Sequence, residues 1–414
     1  MTELANTHGR WSGSRFKGTI YYFGAFTLPG GNASSQRVRQ NAKLFRDLGY
    51  RVVIVGVHEG TDRRIERRGS FAQDGFHTLS VAVGTGWVTR ATSRLLAMSL
   101  LRIVQMHFES PAVICYNYAS APQAQLQIYC WLKGIPFAPD VTEWYGPSGS
   151  SVSDTLRMID TTIRMRLLNK LASGIVTTSP YLTNFYANSD KPQIELPTLI
   201  DREETGTGVV NESGPLKLIF FGNPFNFRLK RPDPAHMKER IDTIVDILVE
   251  VNHERMYATL DVLGVDRDQY LSAFNIEGDD FDLPWLKFWG QVPRKQVFEA
   301  TKQSDFSIFF REKTRPNLAG FPSKFAESIT CGTPVITNPM PNLDAYAEHG
   351  LNCVLVNPKD KAACVETIRR LAGQRELIGT MKAHCTATTT FDYRRWAKPV
   401  DVFLQGWLSK EPTQ

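Results

Sequence analysis

Residues 319–338 read AGFPSKFAESITCGTPVITN and place Lys324 and Glu327 three positions apart behind Gly320, Phe321, Pro322 and Ser323. A proline suits the first turn of a helix, where its missing N–H costs nothing. A glycine before it lets backbone approach a ligand closely. The open amides of such a helix start, with the Lys324 ammonium beside them, form a site for a phosphate. Glu327, one turn further on, can accept hydrogen bonds from sugar hydroxyls. An anionic pyrophosphate and a ribose diol are the two ends of a nucleoside diphosphate. The plainer alternative is a solvated i,i+3 Lys–Glu pair worth about 0.2–0.5 kcal/mol. Against it stands the preceding segment: DFSIFF (305–310) reads as a buried strand, and its loop REKTRPNLAG brings Arg311 and Arg315 to the same end. The 3.6-residue period puts Phe325, Ala326 and Ile329 on a core face and Lys324, Glu327, Ser328 and Cys331 on the other. Gly332 closes the helix, and TPVIT (333–337) returns as a strand.

The elements that must position these residues alternate along the chain. TIYYFGAF (19–26) reads as a strand, SQRVRQNAKLFRDLG (35–49) as a helix with Val38, Ala42, Phe45 and Leu48 at helical spacing, and YRVVIVGV (50–57) as a strand. This β-loop-α-β unit implies a parallel sheet. AVICYNY (112–118), a helix around 120–133, IPFAPDV (135–141), a helix near 153–172 and GIVTTS (174–179) continue it. The polar stretch DREETGTGVVNESGP (201–215) breaks the pattern and reads as a linker. A second series then runs through LKLIFFG (216–222), a helix over 240–252, ATLDVLG (258–264), LKFWG (286–290), DFSIFF and TPVIT. The expected organisation is α/β: a loose tail at 1–17, a first Rossmann-like domain over 18–200, the linker 201–215, a second over 216–390, and a C-terminal helix in 391–414 packing back on the first. In open α/β sheets, ligands bind beyond the carboxyl ends of the strands. Two such domains would therefore hold a ligand in the cleft between them.

Further candidates lie at the same strand ends. Gly30, Gly31 and Asn32 follow the first strand, where paired glycines allow close approach to a phosphate or sugar; a plain turn is the alternative. The loop is not G-x-G-x-x-G, which argues against a nicotinamide site. In DVTEWYG (140–146), Asp140 and Glu143 are placed to face the cleft, with Trp144 and Tyr145 as a stacking or packing surface. Asp140 reads equally as a structural hydrogen-bond acceptor.

The 414 residues carry a net charge of +6, mildly basic, which fits an anionic ligand or membrane surface and does not argue for nucleic acid. Arg63, Arg64, Arg67, Arg68, Arg90, Arg94 and Arg102 concentrate charge in the first half, as a solvated surface or one drawn to anionic lipid. The six cysteines form no C-x-x-C pair and sit in apolar segments, as reduced cysteines do. No histidine spacing suggests a metal site. The N-terminal MTELANTHGRWSGSRFKG has no apolar core of a secretory signal, and no run of 18 apolar residues occurs.

The sequence resembles GT-B glycosyltransferases of family 4, which are retaining enzymes, and in particular a bacterial branch that assembles capsule and exopolysaccharide. The likeness rests on LPGGNASSQRVRQNAKLFRDLGYRVVIVG, GIVTTSPYL, LDVLGVDRDQYL, WGQVPRKQVFEA, DFSIFFRE, AGFPSKFAES and CGTPVITN, in the family's order. It implies two Rossmann-like domains facing a central cleft. It also implies a hexosyl group moved, with retention and without metal or other cofactor, from a nucleotide-diphosphate sugar to a glycan or lipid-linked acceptor. A cytoplasmic, membrane-associated setting follows from such an acceptor. Glu327 would take the ribose, and loop amides from Gly320 to Ser323 the sugar hydroxyls. The first of the two glutamates many members carry is replaced by Ala319, and the histidine common near residue 140 is missing. The family places a basic residue before the first helix of the second domain to neutralise the leaving diphosphate. MKERIDTI makes Lys238 the match, with Arg228 and Lys230 as rivals, and Lys324 and Arg311 would add charge. Two alternatives remain: a GT-B-shaped nucleotide-sugar epimerase, and a degenerate nucleotide-binding subunit.

Overall fold

A computed structural model of the chain describes residues 16–27, 33–59, 66–67, 74–83, 111–145, 152–206, 208–225, 237–277 and 281–409. Its first sheet comprises β1 (Thr19–Thr27), β2 (Arg51–Glu59), β3 (Glu66–Arg67), β4 (His77–Val83), β5 (Pro111–Tyr116), β6 (Phe137–Val141), β7 (Ile175–Thr177) and β8 (Gln193–Glu195), in the order β3-β4-β2-β1-β5-β6-β7-β8. All its pairs are parallel except β3 with β4. The second comprises β9 (Leu216–Phe221), β10 (Ala258–Leu263), β11 (Leu286–Gly290), β12 (Phe306–Ile308), β13 (Val335–Thr337) and β14 (Cys353–Leu355), wholly parallel, in the order β11-β10-β9-β12-β13-β14.

Parallel strands are buried on both faces and read as continuous apolar runs. In β1, Ile20 and Tyr22 point into one core and Tyr21 and Phe23 into another. The first of these cores is completed from the far end of the chain by Val400, Phe403, Leu404 and Trp407 of the helix Ala397–Leu408. Trp407 donates its indole N–H to Ser173 Oγ at 2.9 Å. The chain crosses between the domains at two adjacent points, where Ile200 N donates to Phe391 O at 2.8 Å and Tyr393 N to Ile200 O at 3.1 Å.

Several segments hold contacts or short elements that the sequence does not announce. The stretch 201–215 is tied down: Lys43 Nζ lies 2.7 Å from Asp201 and 2.8 Å from Glu204, and Val209 N donates to Lys302 O at 3.0 Å. Lys17, at the end of the expected tail, donates its amide to Gly49 O at 3.0 Å. The loop after DFSIFF holds a short helix, Arg315–Ala319. The short strands β8 and β14 had too few residues to show a period.

Candidate active site

The 319–338 stretch folds as the helix Ser323–Thr330, entered through Pro322, at the carboxyl end of the second sheet. Its two faces do not divide as the period suggested. Ser328 and Cys331 are fully buried, because the helix packs on Arg294–Gln303 and on Arg375–Ala387 as well as on the sheet. Lys324 is buried too, and it does not pair with Glu327.

Lys324 instead turns to the strand ends. Its Nζ lies 3.1 Å from Glu239 Oε2, and Arg311 Nη2 lies 2.6 Å from Glu239 Oε1. Gly222, directly after β9, has φ +99°, and a Cβ on it would fall 2.9 Å from Lys324 Nζ. A side chain there would meet both backbone strain and the ammonium, so glycine leaves the room Lys324 uses. The segment carrying Glu239 is pinned by Lys238 N donating to Pro224 O at 2.7 Å and Arg240 N to Phe310 O at 2.9 Å. Asn338 fixes Arg311 by accepting from its amide at 2.9 Å and donating to its carbonyl at 3.0 Å.

The electrostatics follow from this convergence. Burial works against the Glu239 carboxylate, but the charges of Lys324, Arg311 and Lys238 outweigh it and hold its carboxyl down to about 2. Burial pushes the Lys324 ammonium below its usual range, and the charges of Lys238 and Arg311 push the same way against the pull of Glu239. Lys238 itself is exposed. Three cations thus act on the one Glu239 carboxylate, while the adjoining Arg240 is paired with Asp242 and Glu312 at 2.7 and 2.8 Å. Glu327, half-buried, has its Oε1 3.0 Å from Arg294 Nη2.

The loop from Gly320 to Ser323 lies against the first domain. Ser179 Oγ donates to Ala319 O at 2.7 Å, and a Cβ on Gly320 would come 3.6 Å from Thr142 O. Asn342 Nδ2 donates to Asn317 O at 2.9 Å and also to Gly320 O. Phe321 turns its ring inward, 5.5 Å from Tyr346 and 5.8 Å from Phe391, so it anchors the loop from within the core. Pro322 is buried beside it, and Ser323 is partly exposed.

Across the cleft, Asp140 is fully buried. Arg37 donates to it from Nη2 at 2.8 Å and from Nε at 3.0 Å, and Tyr22 OH donates to it as well. Of the two sequence readings for Asp140, the structural acceptor describes these surroundings. Glu143 is half-buried and accepts from Tyr145 OH. Trp144 is buried against Phe185, at 4.6 Å between centroids, with Arg315 at 5.2 Å over its ring. Trp144 is therefore packing surface, and Tyr145 is the exposed ring of the pair. Gly30, Gly31, Asn32, Arg228 and Lys230 lie outside the described residues, as do the seven arginines from Arg63 to Arg102 apart from the backbone of Arg67. Among the described residues, no group of three or more His, Cys, Asp or Glu side chains could hold a metal ion.

Sequence reasoning missed Glu239 and Arg294. Glu239 follows Lys238 directly, and an acid set among the cations of MKERIDTI was the available signal. Arg294 lies within WGQVPRKQVFEA, but nothing local ties it to a glutamate 33 positions on.

Two parallel-sheet α/β domains meeting across this site constitute the GT-B fold. Residues 234–374, which span Glu239, Arg311, Lys324 and Glu327, match the family described as "Glycosyl transferases group 1". Solved structures agree in fold over nearly the whole chain. HepE of Anabaena, in complex with UDP and glucose, superposes with TM-score 0.64 at 14% identity, covering 94% of this chain and 99% of that one. Sucrose-phosphate synthase of Thermosynechococcus elongatus gives 0.66 at 13% identity, over 94% and 98%. The pneumococcal O-GlcNAc transferase GtfA, in complex with UDP and GlcNAc, gives 0.59 at 12% identity, over 95% and 99%. Among curated proteins no sequence matches this one.

Proposed function

We propose that the chain is a glycosyltransferase that moves a hexosyl group from a nucleotide-diphosphate sugar to a glycan or lipid-linked acceptor in surface-polysaccharide synthesis. The observation that carries the reading is the excess of positive charge at the ends of β9 and β12. Lys324, Arg311 and Lys238 surround a single carboxylate where a GT-B cleft opens. A diphosphate arriving there completes a charge balance that Glu239 leaves short. As the sugar bond breaks, negative charge grows on the departing diphosphate, and fixed cations stabilise that charge without reorganising. Lys238, the exposed member, makes the direct contact. Lys324 acts from behind it, along the strand end that Gly222 leaves bare.

Glu327, oriented by Arg294, takes the ribose hydroxyls. The backbone from Gly320 to Ser323 takes the sugar, and Glu143 lies on the acceptor side. The reaction proceeds with retention and without metal, the acceptor proton passing to the donor phosphate. The enzyme works in the cytoplasm at an anionic membrane surface. UDP is the first nucleotide to test, since it is present in the complexes of HepE and GtfA.

The test is thermal unfolding with UDP, GDP, ADP and CMP, on the native chain and on Lys324→Ala and Glu327→Ala. A ligand at about 100 times its dissociation constant adds about 2.7 kcal/mol. One diphosphate should stabilise the native chain, and both variants should lose the shift. No shift with any nucleotide defeats the reading; a shift that survives both substitutions moves the site elsewhere.

A further inference from the structure

The first domain exposes an apolar surface that the donor site does not use. The helix Val152–Ile163 continues through a π-helical turn, Arg164–Leu168, into Asn169–Leu171. One side of this rod is buried through Met165 and Leu168. It is joined to the helix Ser120–Leu132 by Gln123 Nε2 donating to Asn169 Oδ1 at 2.9 Å and Gln127 Nε2 to Leu168 O at 3.0 Å. The other side carries Leu156, Ile159, Ile163, Leu167 and Leu171, all exposed, the first and last at 62% and 63%. Their spacing of three, four, four and four exceeds the α-helical period. The wider π turn absorbs the excess and keeps them in one row. Beside the row, the neighbouring helix exposes Ile128, Leu132 and Trp131, the last at 65%. Single exposed apolar residues need no explanation, whereas a contiguous set of this size marks an interaction surface.

The charges around the row identify what it meets. Arg157, Arg166 and Lys170 are exposed on the rod, and Lys133 stands at the end of the neighbouring helix. From 155 to 171 the sole acid is Asp160, and it is half-buried, accepting from Ser120 N at 2.8 Å and Ser120 Oγ at 2.6 Å. The helix Ser120–Leu132 has no charged residue. Among the described side chains of the rod, an apolar row bordered by exposed Arg166 and Lys170, with a tryptophan at its edge, is the pattern of a helix lying in the plane of a membrane interface. An anionic bilayer presents together the apolar interior and the negative headgroups that such a surface fits.

We infer that the surface formed by residues 155–171 and 128–133 docks the enzyme on an anionic lipid bilayer. The rod begins at Val152, seven positions beyond the end of the Thr142–Tyr145 segment, which touches the Gly320 loop and Arg315 at the cleft. Docking by this face therefore sets the acceptor side of the cleft beside the membrane. This deepens the functional proposal by placing its lipid-linked acceptor, and it rests on that proposal only for the acceptor. It also assigns the contact to a surface other than the arginines between 63 and 102.

The test is co-sedimentation of the full chain with vesicles of phosphatidylcholine alone or mixed equally with phosphatidylglycerol, at low and high salt. The native chain should bind the mixed vesicles, bind the neutral ones far less, and be partly released by salt. Ile159→Glu/Ile163→Glu should abolish binding to both. Arg166→Glu/Lys170→Glu should weaken binding to the mixed vesicles by about tenfold or more and leave the weak neutral binding unchanged. Both variants alter exposed positions and should keep the native melting temperature and its shift with UDP. Should the apolar variant prove misfolded, the charge variant alone decides the matter. Failure of the native chain to bind mixed vesicles overturns the inference, as does equal binding by folded variants. A native dimer in light scattering that Ile159→Glu/Ile163→Glu converts to monomer, without vesicle binding in either, assigns the face to a second copy instead. Vesicle binding lost in the variants, with no nucleotide shift in any form, upholds the docking surface and defeats the transferase reading.

Discussion

Each domain buries a carboxylate against basic side chains at the carboxyl end of its sheet, and the two clusters are balanced differently. In the first, Asp140 faces one cation, Arg37, which is used up: its Nη1 donates to Leu196 O at 2.9 Å, Pro197 O at 3.1 Å and Thr178 Oγ1 at 3.2 Å, while Nε and Nη2 hold the aspartate. Charge is matched and each guanidinium nitrogen is engaged. In the second, Glu239 faces Lys324 and Arg311 directly, with Lys238 close enough to act on both the carboxylate and Lys324. A matched buried pair is a structural device. An unmatched one keeps positive charge that an arriving anion neutralises, which is the basis of the proposed diphosphate site.

The largest expected effect sharpens this contrast. Removing one partner of a buried ion pair costs about 3–5 kcal/mol. Asp140→Asn and Glu239→Gln should both lose stability of that order in urea unfolding. UDP should separate them. In Glu239→Gln the diphosphate supplies the negative charge that has been removed, so its thermal shift should exceed that of the native chain. In Asp140→Asn the shift should equal the native one. Equal shifts in both variants would break the comparison.

Acid provides a second separation. The Glu239 carboxyl is held at about 2, well below its unfolded value. Between the two values the unfolded chain binds the extra proton, so stability rises with pH there. The contribution is fully present above the unfolded pKa and is lost as pH falls toward about 2. It is worth on the order of 3 kcal/mol. Measured as stability against pH, the native chain should show this acid limb and Glu239→Gln should lack it. A limb of the same height in Glu239→Gln would assign it to other carboxylates.

These clusters also show where sequence reading succeeds and stops. The two sheets were legible because strands such as LKLIFF and TIYYFGAF are continuous apolar runs between helices of clear period. Lys324, Glu327 and Arg311 were legible as site candidates because a Gly-Pro helix start after a core strand is a local pattern. Their partners were not. Glu239 meets Lys324 across 85 positions and Arg37 meets Asp140 across 103, and no periodicity links residues so far apart. The burial of Lys324 was hidden for the same reason. The groups that enclose it, Glu239 and the strand end at Gly222, lie 85 and 102 positions away, and nothing in the helix's own sequence marks them.

Removing a cation from the unmatched cluster should cost less stability than removing its carboxylate, and more binding. Lys324→Met keeps length while leaving Glu239 paired with Arg311, so the chain should fold. Lys324 acts on the diphosphate from behind Lys238, and loss of a buried charge-assisted interaction is worth about 1.5–3 kcal/mol. UDP affinity by calorimetry should therefore fall roughly tenfold to a hundredfold. Undiminished affinity would place the diphosphate away from the ends of β9 and β12.

The smallest effect concerns how the two clusters are brought face to face. Arg315 reaches from the second domain over Trp144, 5.2 Å from its ring centroid, with its Nη2 donating to Tyr145 O at 3.4 Å. A partly exposed cation–π contact is worth about 0.5–1 kcal/mol. Arg315→Ala should thus leave the melting temperature nearly unchanged, since neither domain core contains the side chain. What it should alter is the closed arrangement: small-angle scattering should show a slightly larger radius without UDP and the native radius with it. Binding energy from the nucleotide then restores an approach that Arg315 otherwise favours on its own. A native radius in both conditions would mean that Ser179, through its bond to Ala319 O at 2.7 Å, and the paired crossing at Ile200 and Phe391 suffice to hold the cleft closed.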